Sequence, residues 1–237
     1  MTLIIEKFEY KALQKNKDRK YIGEGIDIPL PSVTTILDKT KSAEKIKVLN
    51  EWKARVGQQQ AQKITTEAAS NGTRMHSYLE SYLKTGEKHV PGSNPYATKA
   101  NIMANTIIEK GLSNVSEVWG SEVNLFYPGL YAGTTDGVGT HLGESAILDY
   151  KQTNKPKKEE WIEDYYLQLA AYALAHNKLF ETNIRKGVVL MAVAPPELKP
   201  GLWGESQYQE FILTPETFDY WANKWWDRVE KYYTLYV

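Results

Sequence analysis

The sequence contains no cysteine, which excludes disulfides, thiolate zinc sites, iron–sulfur clusters and cysteine nucleophiles together. No apolar run approaches the roughly 20 residues that a membrane-spanning helix needs. The first residues also lack the apolar core and cleavage site of a signal peptide. There is no phosphate-binding loop of the G-x-x-x-x-G-K type and no internal repeat. We therefore expect a cytoplasmic protein that does not contact a membrane.

Neither sign of charge is in excess, because 29 basic residues balance 29 acidic residues. A nucleic-acid partner would therefore have to bind a local basic surface. The chain has 237 residues, of which 42% are hydrophobic, and this is enough for one large domain with a substantial core. We expect a single domain, with a hairpin and a helical extension in residues 1–90 and the main α/β core in residues 91–237.

The most informative stretch is 131–151, YAGTTDGVGTHLGESAILDYK, which predicts a β-hairpin that turns at Leu142–Gly143. In that register Asp136 lies opposite Asp149, with Cβ atoms about 4.5–5.5 Å apart. Two carboxylates at this distance repel each other unless a cation or a proton lies between them. Strand alternation places Lys151 on the face of Asp149. This pattern suits Mg2+-assisted phosphodiester hydrolysis, although an exposed hairpin with a surface ion pair would have the same sequence.

A histidine and two glutamates are candidates to join this site. His76 and Glu80 share one face of a helix predicted over residues 73–83, whose apolar residues are Met75, Leu79 and Leu83. A lone helical histidine is commonly a core residue, but imidazole also completes metal sites built from carboxylates. Glu122 lies in the predicted strand Val115–Tyr127. It either binds metal or water or is an exposed strand residue.

The helix predicted from Glu159 to Leu179 has an aromatic stripe interrupted by one amide. The stripe consists of Trp161, Tyr165, Gln168, Tyr172 and His176. Aromatic stripes usually pack in a core, but a buried amide needs a polar partner. Gln168 and Tyr172 are therefore candidates for contact with a phosphate or a nucleotide.

A serine that can cap a helix, Ser32, precedes one predicted helix, and a second predicted helix runs from about Ser42 to Val56. The basic face of the second helix is either solvated or in contact with phosphate. The other predicted elements are a hairpin of Phe8–Leu13 and Tyr21–Ile28, a helical stretch punctuated by Gly72, helices at Tyr96–Gly111 and Pro215–Tyr233, and strands at Arg185–Ala194 and Tyr208–Leu213.

Four motifs in this order resemble the RecB-type branch of the PD-(D/E)xK nuclease superfamily. They are a glycine and a helical histidine in Gly72–His76, with one extra residue in the gap, GTTD in Gly133–Asp136, ILDYK in Ile147–Lys151, and QLAAY in Gln168–Tyr172. The segments PSVTTIL and LNEWK resemble those that precede the core of mitochondrial and phage exonucleases in the superfamily. The resemblance implies a mixed central β-sheet flanked by helices, with an N-terminal helical extension.

The resemblance also implies a DNA exonuclease that depends on Mg2+ or Mn2+. The metal would be bound by His76, Asp136, Asp149 and the main-chain carbonyl of Tyr150. Lys151 would position or deprotonate the attacking water. The absence of cysteine excludes the members of the branch that contain an iron–sulfur cluster.

Further roles follow from the same resemblance. The residues expected to contact the substrate strand are Gln168, Tyr172, Ser32, Thr34, Trp52 and Lys53. Glu80 and Glu122 would order metal-bound waters. The segment from Ser32 to Leu83 is expected to arch over the site, which favours single-stranded DNA and DNA ends. Replication, recombination or repair is the expected process, with a single-strand-binding or recombination protein as a candidate partner and the host cytoplasm as the location for a phage protein.

Two other functions stay open. A duplex-end 5′ to 3′ exonuclease or a structure-specific endonuclease would use the same chemistry. A non-catalytic DNA-binding protein would have the same fold. The presence of Asp136, Asp149 and Lys151 together argues against the non-catalytic alternative.

Overall fold

The computed structural model describes residues 4–18, 20–91 and 94–237. The strands are β1 (Gln14–Lys15), β2 (Tyr21–Ile22), β3 (Val115–Tyr127), β4 (Tyr131–His141), β5 (Glu144–Thr153), β6 (Lys186–Val193), β7 (Glu197–Lys199), β8 (Leu202–Trp203) and β9 (Gln207–Leu213). The helices are α1 (Val33–Lys39), α2 (Ala43–Val56), α3 (Gln58–Thr85), α4 (Pro95–Lys110), α5 (Glu163–Phe180) and α6 (Phe218–Tyr236). Within the described ranges, no helix is both long enough and apolar enough to cross a bilayer.

The centre of the fold is a five-stranded sheet in the order β3-β4-β5-β6-β9. Only the β5–β6 pair within this sheet is parallel, and helix α5 connects these two strands. Helices cover both faces, with α1, α5 and α6 on one side and α3 and α4 on the other. The expected α/β fold with a mixed central sheet flanked by helices is confirmed.

The predicted β4–β5 hairpin is present with the predicted turn. Leu142 and Gly143 have φ angles of 49° and 83°, and a two-residue turn with two positive φ angles matches the twist of the flanking strands. The ladder runs from His141–Glu144 to Gly137–Leu148. Beyond that pair, β4 continues against β3, and β5 continues against β6. We call the point beyond Gly137 and Leu148, where β4 and β5 separate, the fork.

The helices pack where their apolar residues recur at helical spacing. Met75, Leu79 and Leu83 of α3 are fully buried against α4 and the sheet, as predicted. Serine caps begin the first two helices, as predicted for Ser32. Ser32 accepts a bond from the Thr35 N–H and Ser42 accepts one from the Lys45 N–H. These caps satisfy main-chain donors that the helices leave unpaired.

The N-terminal hairpin differs from the predicted one. The paired residues are Gln14–Ile22 and Lys15–Tyr21, whereas Phe8–Leu13 is not a strand. Phe8 and Tyr10 instead pack against Phe180 of α5, because aromatic burial on the core is available to them. Arg19, in the predicted turn, lies outside the described residues.

Two predicted helix boundaries are also wrong. Gly72 does not interrupt its helix, because α3 is continuous from Gln58 to Thr85. A Cβ at Gly72 would lie 4.0 Å from the Gln152 side chain of β5, an ordinary contact, so neither the packing nor the backbone requires a glycine there. Helix α5 begins at Glu163 after a 3-10 turn over Glu159–Trp161, because Ile162 is buried with a non-helical ψ of 20°.

His176 provides a test of this packing. It is fully buried in α5, with its Nε2 3.1 Å from the Tyr10 hydroxyl and its Nδ1 2.7 Å from Thr182 Oγ1. Burial lowers the pKa of His176 from its ordinary 6.5 to about 4. As the pH falls, the unfolded chain therefore binds this proton before the folded chain does. The contribution of neutral His176 to the free energy of unfolding is complete above pH 6.5. It is lost as the pH falls towards 4, by about 3 kcal/mol.

We expect His176→Gln to show a shallower loss of stability than the wild type between pH 6.5 and 4. Denaturant unfolding at several pH values measures this slope, and the variant's stability at pH 7.5 is the reference. Parallel pH profiles of the two proteins would contradict the prediction.

Candidate active site

Asp136 binds the main chain of β5 at the fork. It lies in β4, one residue before the ladder with β5 begins, and its Oδ2 accepts a 2.6 Å bond from the Tyr150 N–H. The Thr135 hydroxyl similarly donates to the Leu148 carbonyl at 3.3 Å. Side chains of β4 thus supply partners to main-chain groups of β5 where the strands separate, because buried main-chain groups need partners.

Glu122 is level with Asp136 on the neighbouring strand. Its neighbours Ser121 and Val123 pair with Gly137 and Thr135 of β4. Glu122 has a φ of 52°, a left-handed conformation that costs free energy in a residue with a side chain. Strained backbone of this kind is concentrated at functional sites.

His76 joins both carboxylates from helix α3. Its Nδ1 lies 3.3 Å from Asp136 Oδ1 and 3.7 Å from Glu122 Oε1. The ligand atoms of His76, Glu122 and Asp136 all lie within 4.8 Å of one another. Burial would lower the pKa of His76, but the bonds to Asp136 and Glu122 raise it to about 10. The imidazolium therefore holds a positive charge between two carboxylates.

Asp149 and Lys151 form a buried ion pair beside this group. Asp149 Oδ1 lies 2.6 Å from Lys151 Nζ. Asp149 is 1% exposed, and its Oδ2 has no hydrogen-bond partner among the described residues. Burial raises the pKa of Asp149 to about 6, although Lys151 favours the charged form. Lys151 Nζ also lies 5.3 Å from the centre of the Tyr165 ring.

The structure therefore brings most of the predicted site together, with one difference in grouping. His76, Asp136, Asp149 and Lys151 meet at the fork as predicted. In the described part of the chain, however, the compact set of ligand atoms contains Glu122 and not Asp149, because Asp149 pairs with Lys151.

Glu80 lies further out than Glu122. It pairs with Lys84 at 2.5 Å and lines an open groove of about 410 Å³. His76 and Glu122 line the same groove. Glu80 is not part of the compact set of ligand atoms found in the described chain, and its role in ordering metal-bound waters stays a prediction.

Tyr172 differs from the prediction, because it is 2% exposed and packs in the core. Its ring contacts β4 at Gly133, where a Cβ would lie only 2.7 Å from the Tyr172 ring. Tyr172 therefore packs against the strand that holds Asp136. Gln168, one helical turn earlier, is half-buried.

The predicted N-terminal contact residues do not reach the fork directly. Ser32 is buried as the cap of α1, and Thr34, two residues later, is exposed. Trp52 and Lys53 are half-buried in α2. Within residues 4–18, 20–91 and 94–237, no hydrogen bond or ion pair joins these four side chains to the fork residues.

Helix α2 connects the two faces of the sheet. Helix α1 packs on the face of α5, whereas α3 packs on the opposite face. Lys45 Nζ lies 2.7 Å from Glu163 and 3.1 Å from Asp164 at the start of α5, and Gln152 Nε2 donates to Ala68 of α3. No residue of α2 is buried. The helix therefore leads from the start of α5 on one face to α3 on the other.

Comparison with known proteins gives three similar sequences. The chain is 30% identical over 217 residues to mitochondrial genome maintenance exonuclease 1 of Xenopus tropicalis, covering 86% of this chain and 57% of the relative. Identity is 26% over 216 residues to the Homo sapiens protein of that name and 28% over 213 residues to the Mus musculus protein, with 86% of this chain covered in both. These alignments cover 58% and 59% of the two relatives. The chain thus spans less than two thirds of the length of these relatives.

Other comparisons add little. No protein-family model matches the chain. A solved structure titled "Crystal structure of SSO0001" aligns with 81% of this chain and 74% of its own, at 14% identity and a TM-score of 0.35. That score is too low to support an argument about the fold.

The strain at Glu122 is testable with two variants that both remove the carboxylate. We expect Glu122→Gly to be more stable than Glu122→Ala by about 1 kcal/mol, because only glycine adopts a positive φ without a steric penalty. Thermal or denaturant unfolding gives the difference. In an ordinary strand, alanine stabilises the fold more than glycine does. A Glu122→Ala variant more stable than Glu122→Gly would therefore contradict the prediction.

Proposed function

We propose that this chain is a metal-dependent DNA exonuclease of the PD-(D/E)xK superfamily, which hydrolyses phosphodiester bonds in single-stranded DNA or at DNA ends. The observation that carries the proposal is the meeting of His76, Glu122 and Asp136 with the Asp149–Lys151 pair at the fork. Its support outside the structure is the similarity over 86% of the chain to proteins named exonuclease.

The residues at the fork fit Mg2+ or Mn2+. Carboxylate oxygens are hard ligands that suit both ions, and imidazole is compatible with such sites. The buried Oδ2 of Asp149 lacks a partner in the described chain, as expected of an atom intended for a ligand. The proposed ligands are His76, Asp136, Asp149, the main-chain carbonyl of Tyr150 and, added from the geometry, Glu122. A divalent ion bound there would neutralise charge that develops on the phosphate.

Lys151 is the proposed catalytic ammonium group. Burial would lower its pKa, but Asp149 and Asp136 raise the pKa above its ordinary value, so the side chain is charged. A charged Lys151 donates hydrogen bonds to the attacking water or to a non-bridging phosphate oxygen. Asp149 holds the Nζ in place for that contact. The proposed role of Lys151 is therefore to orient the attacking water and the phosphate, a role that requires little motion of its side chain.

Helix α2 is the proposed arch over the substrate strand. It leads from the start of α5 to α3 across the edge between the two faces of the sheet, and its Trp52 and Lys53 are only half-buried. A strand that threads under α2 must have a free end. This reading favours an exonuclease acting in replication, recombination or repair in the cytoplasm, with a single-strand-binding or recombination protein as a candidate partner.

We expect Mg2+ or Mn2+ to support degradation of end-labelled single-stranded DNA by the wild type, and EDTA to abolish it. Lys151→Ala and Asp149→Ala should each lose at least about 100-fold in rate, because each removes charge stabilisation in the transition state. Product sizes on denaturing gels measure the reaction, and labelling each end in turn gives its polarity.

Lys110→Ala is the matched control, because Lys110 is an exposed lysine in the last turn of α4 and contacts none of the fork residues. Its rate should equal that of the wild type. If the wild type cleaves no single-stranded, duplex or flapped DNA with either metal, the nuclease proposal is wrong. Retained DNA binding would then favour the non-catalytic alternative.

A closed circle tests the arch. We expect the wild type to degrade a linear single strand and to leave a closed circle of the same sequence intact, because a circle has no end to thread. Gel analysis of both substrates in one reaction makes the comparison. Cleavage of the circle at a similar rate would favour an endonuclease.

A further inference from the structure

Trp161 is an exposed aromatic residue that the proposed chemistry does not use. The chain has seven tryptophans, all within the described residues, and Trp161 is the most exposed at 57%. Exposing an indole of this size forgoes burial that would stabilise the fold. An exposed tryptophan held in a fixed position is therefore a candidate binding residue.

The loop before Trp161 is fixed by hydrogen bonds. The Lys157 N–H donates to Gln209 Oε1 at 2.7 Å, and Gln209 Nε2 donates to the Lys157 carbonyl at 2.9 Å. The Thr153 hydroxyl donates to the Lys155 carbonyl at 2.8 Å. Because strand β9 holds Lys157 by two bonds, the loop presents its lysines in a defined arrangement.

Trp161 itself is held by its main chain. Its N–H donates to the Lys158 carbonyl at 3.0 Å, and the next residue, Ile162, is buried at 1% exposure. The Nζ of Lys158 lies 5.4 Å from the centre of the indole ring. A cation at this distance stabilises the ring in place.

Trp161 is connected to the catalytic lysine proposed above through Tyr165. The Tyr165 N–H donates to the Ile162 carbonyl at 2.8 Å, and the Tyr165 ring lies 5.3 Å from Lys151 Nζ. Trp161 precedes Tyr165 by four residues, across the non-helical Ile162, so their Cα atoms are at most ~14 Å apart. A nucleotide close to a phosphate at Lys151 on the same strand is therefore within reach of the indole.

The charge of the loop matches a nucleic-acid backbone. Residues 152–158 contain three lysines and no acidic residue. Of the two glutamates that follow, Glu159 accepts a bond from the Tyr166 hydroxyl, and Glu160 lies 3.9 Å from Lys158. Lys155 and Lys157 have no ion-pair partner among the described residues.

We infer that Trp161 is a stacking platform for a base of single-stranded DNA next to the scissile phosphate, and that Lys155, Lys157 and Lys158 contact its backbone. The inference rests on the proposed function, because it places the substrate strand at Lys151. Stacking on an aromatic ring tolerates every base, so this contact holds the strand without selecting a sequence.

The experiment compares Trp161→Ala, Trp161→Phe and the wild type on single-stranded oligonucleotides. Loss of base stacking corresponds to a rise in KM of about 5- to 150-fold for Trp161→Ala, with kcat nearly unchanged. Trp161→Phe keeps an aromatic face and should restore most of the affinity. Leu142→Ala is the matched control, because Leu142 is 61% exposed at the opposite end of the β4–β5 hairpin. It should leave KM unchanged.

A single abasic site moved along the oligonucleotide identifies the stacked base. In the wild type, an abasic site at one position should raise KM. In Trp161→Ala, an abasic site at that position should have no further effect on KM, because both changes remove the same contact between base and indole. Equal KM values for the wild type and Trp161→Ala, or an unchanged abasic profile, would overturn the inference while leaving the nuclease proposal intact.

Failure of the nuclease proposal can be distinguished from failure of the stacking platform. If the wild type cleaves no DNA, fluorescence anisotropy with the same dye-labelled oligonucleotides in EDTA measures binding alone. Weaker binding by Trp161→Ala, rescued in Trp161→Phe, would support the stacking platform without catalysis. Equal binding by all three proteins would overturn it.

Discussion

The structure of the site depends on one constraint, which is that β4 pairs with only part of β5. Strand β5 pairs antiparallel with β4 near the turn and parallel with β6 to its end. Where β4 departs, the Tyr150 N–H needs a new partner, and Asp136 provides it. The fork therefore fixes a carboxylate between two strands and brings Glu122, level with it on β3, within reach of His76.

Charge balance at the fork follows from that crowding. Three carboxylates converge there, and each faces a cation of the chain itself: His76 faces Asp136 and Glu122, and Lys151 faces Asp149. Like charges this close oppose ionisation unless opposite charges are equally close. The two cations thus come from different elements, α3 and β5. The charge balance of the site therefore depends on where α3 packs on the sheet.

The sequence was sufficient to predict features that depend on residues close together in the chain. The Leu142–Gly143 turn defined the register of the hairpin, and with it the level of Asp136 and Asp149. Features set by distant contacts were not predictable in this way. The positive φ of Glu122 has no glycine to signal it, and Phe8 pairs with no strand because Phe180 offers a better apolar contact. The burial of Tyr172 had one available signal, Gly133, since a glycine within a strand often marks a close approach.

The two partners of β5 differ in how far apart they lie along the chain. The β4–β5 hairpin closes across two residues, whereas the β5–β6 pair begins with Ala146 opposite Lys186, after all of α5. Local hairpins form within microseconds, but pairing over long loops is slower, because the entropy of closing the loop must be lost first. The two aspartates can therefore approach each other early in folding. The burial of Asp149 and Lys151 is complete only when β6 and α5 are in place, which makes the intact site a late product of folding.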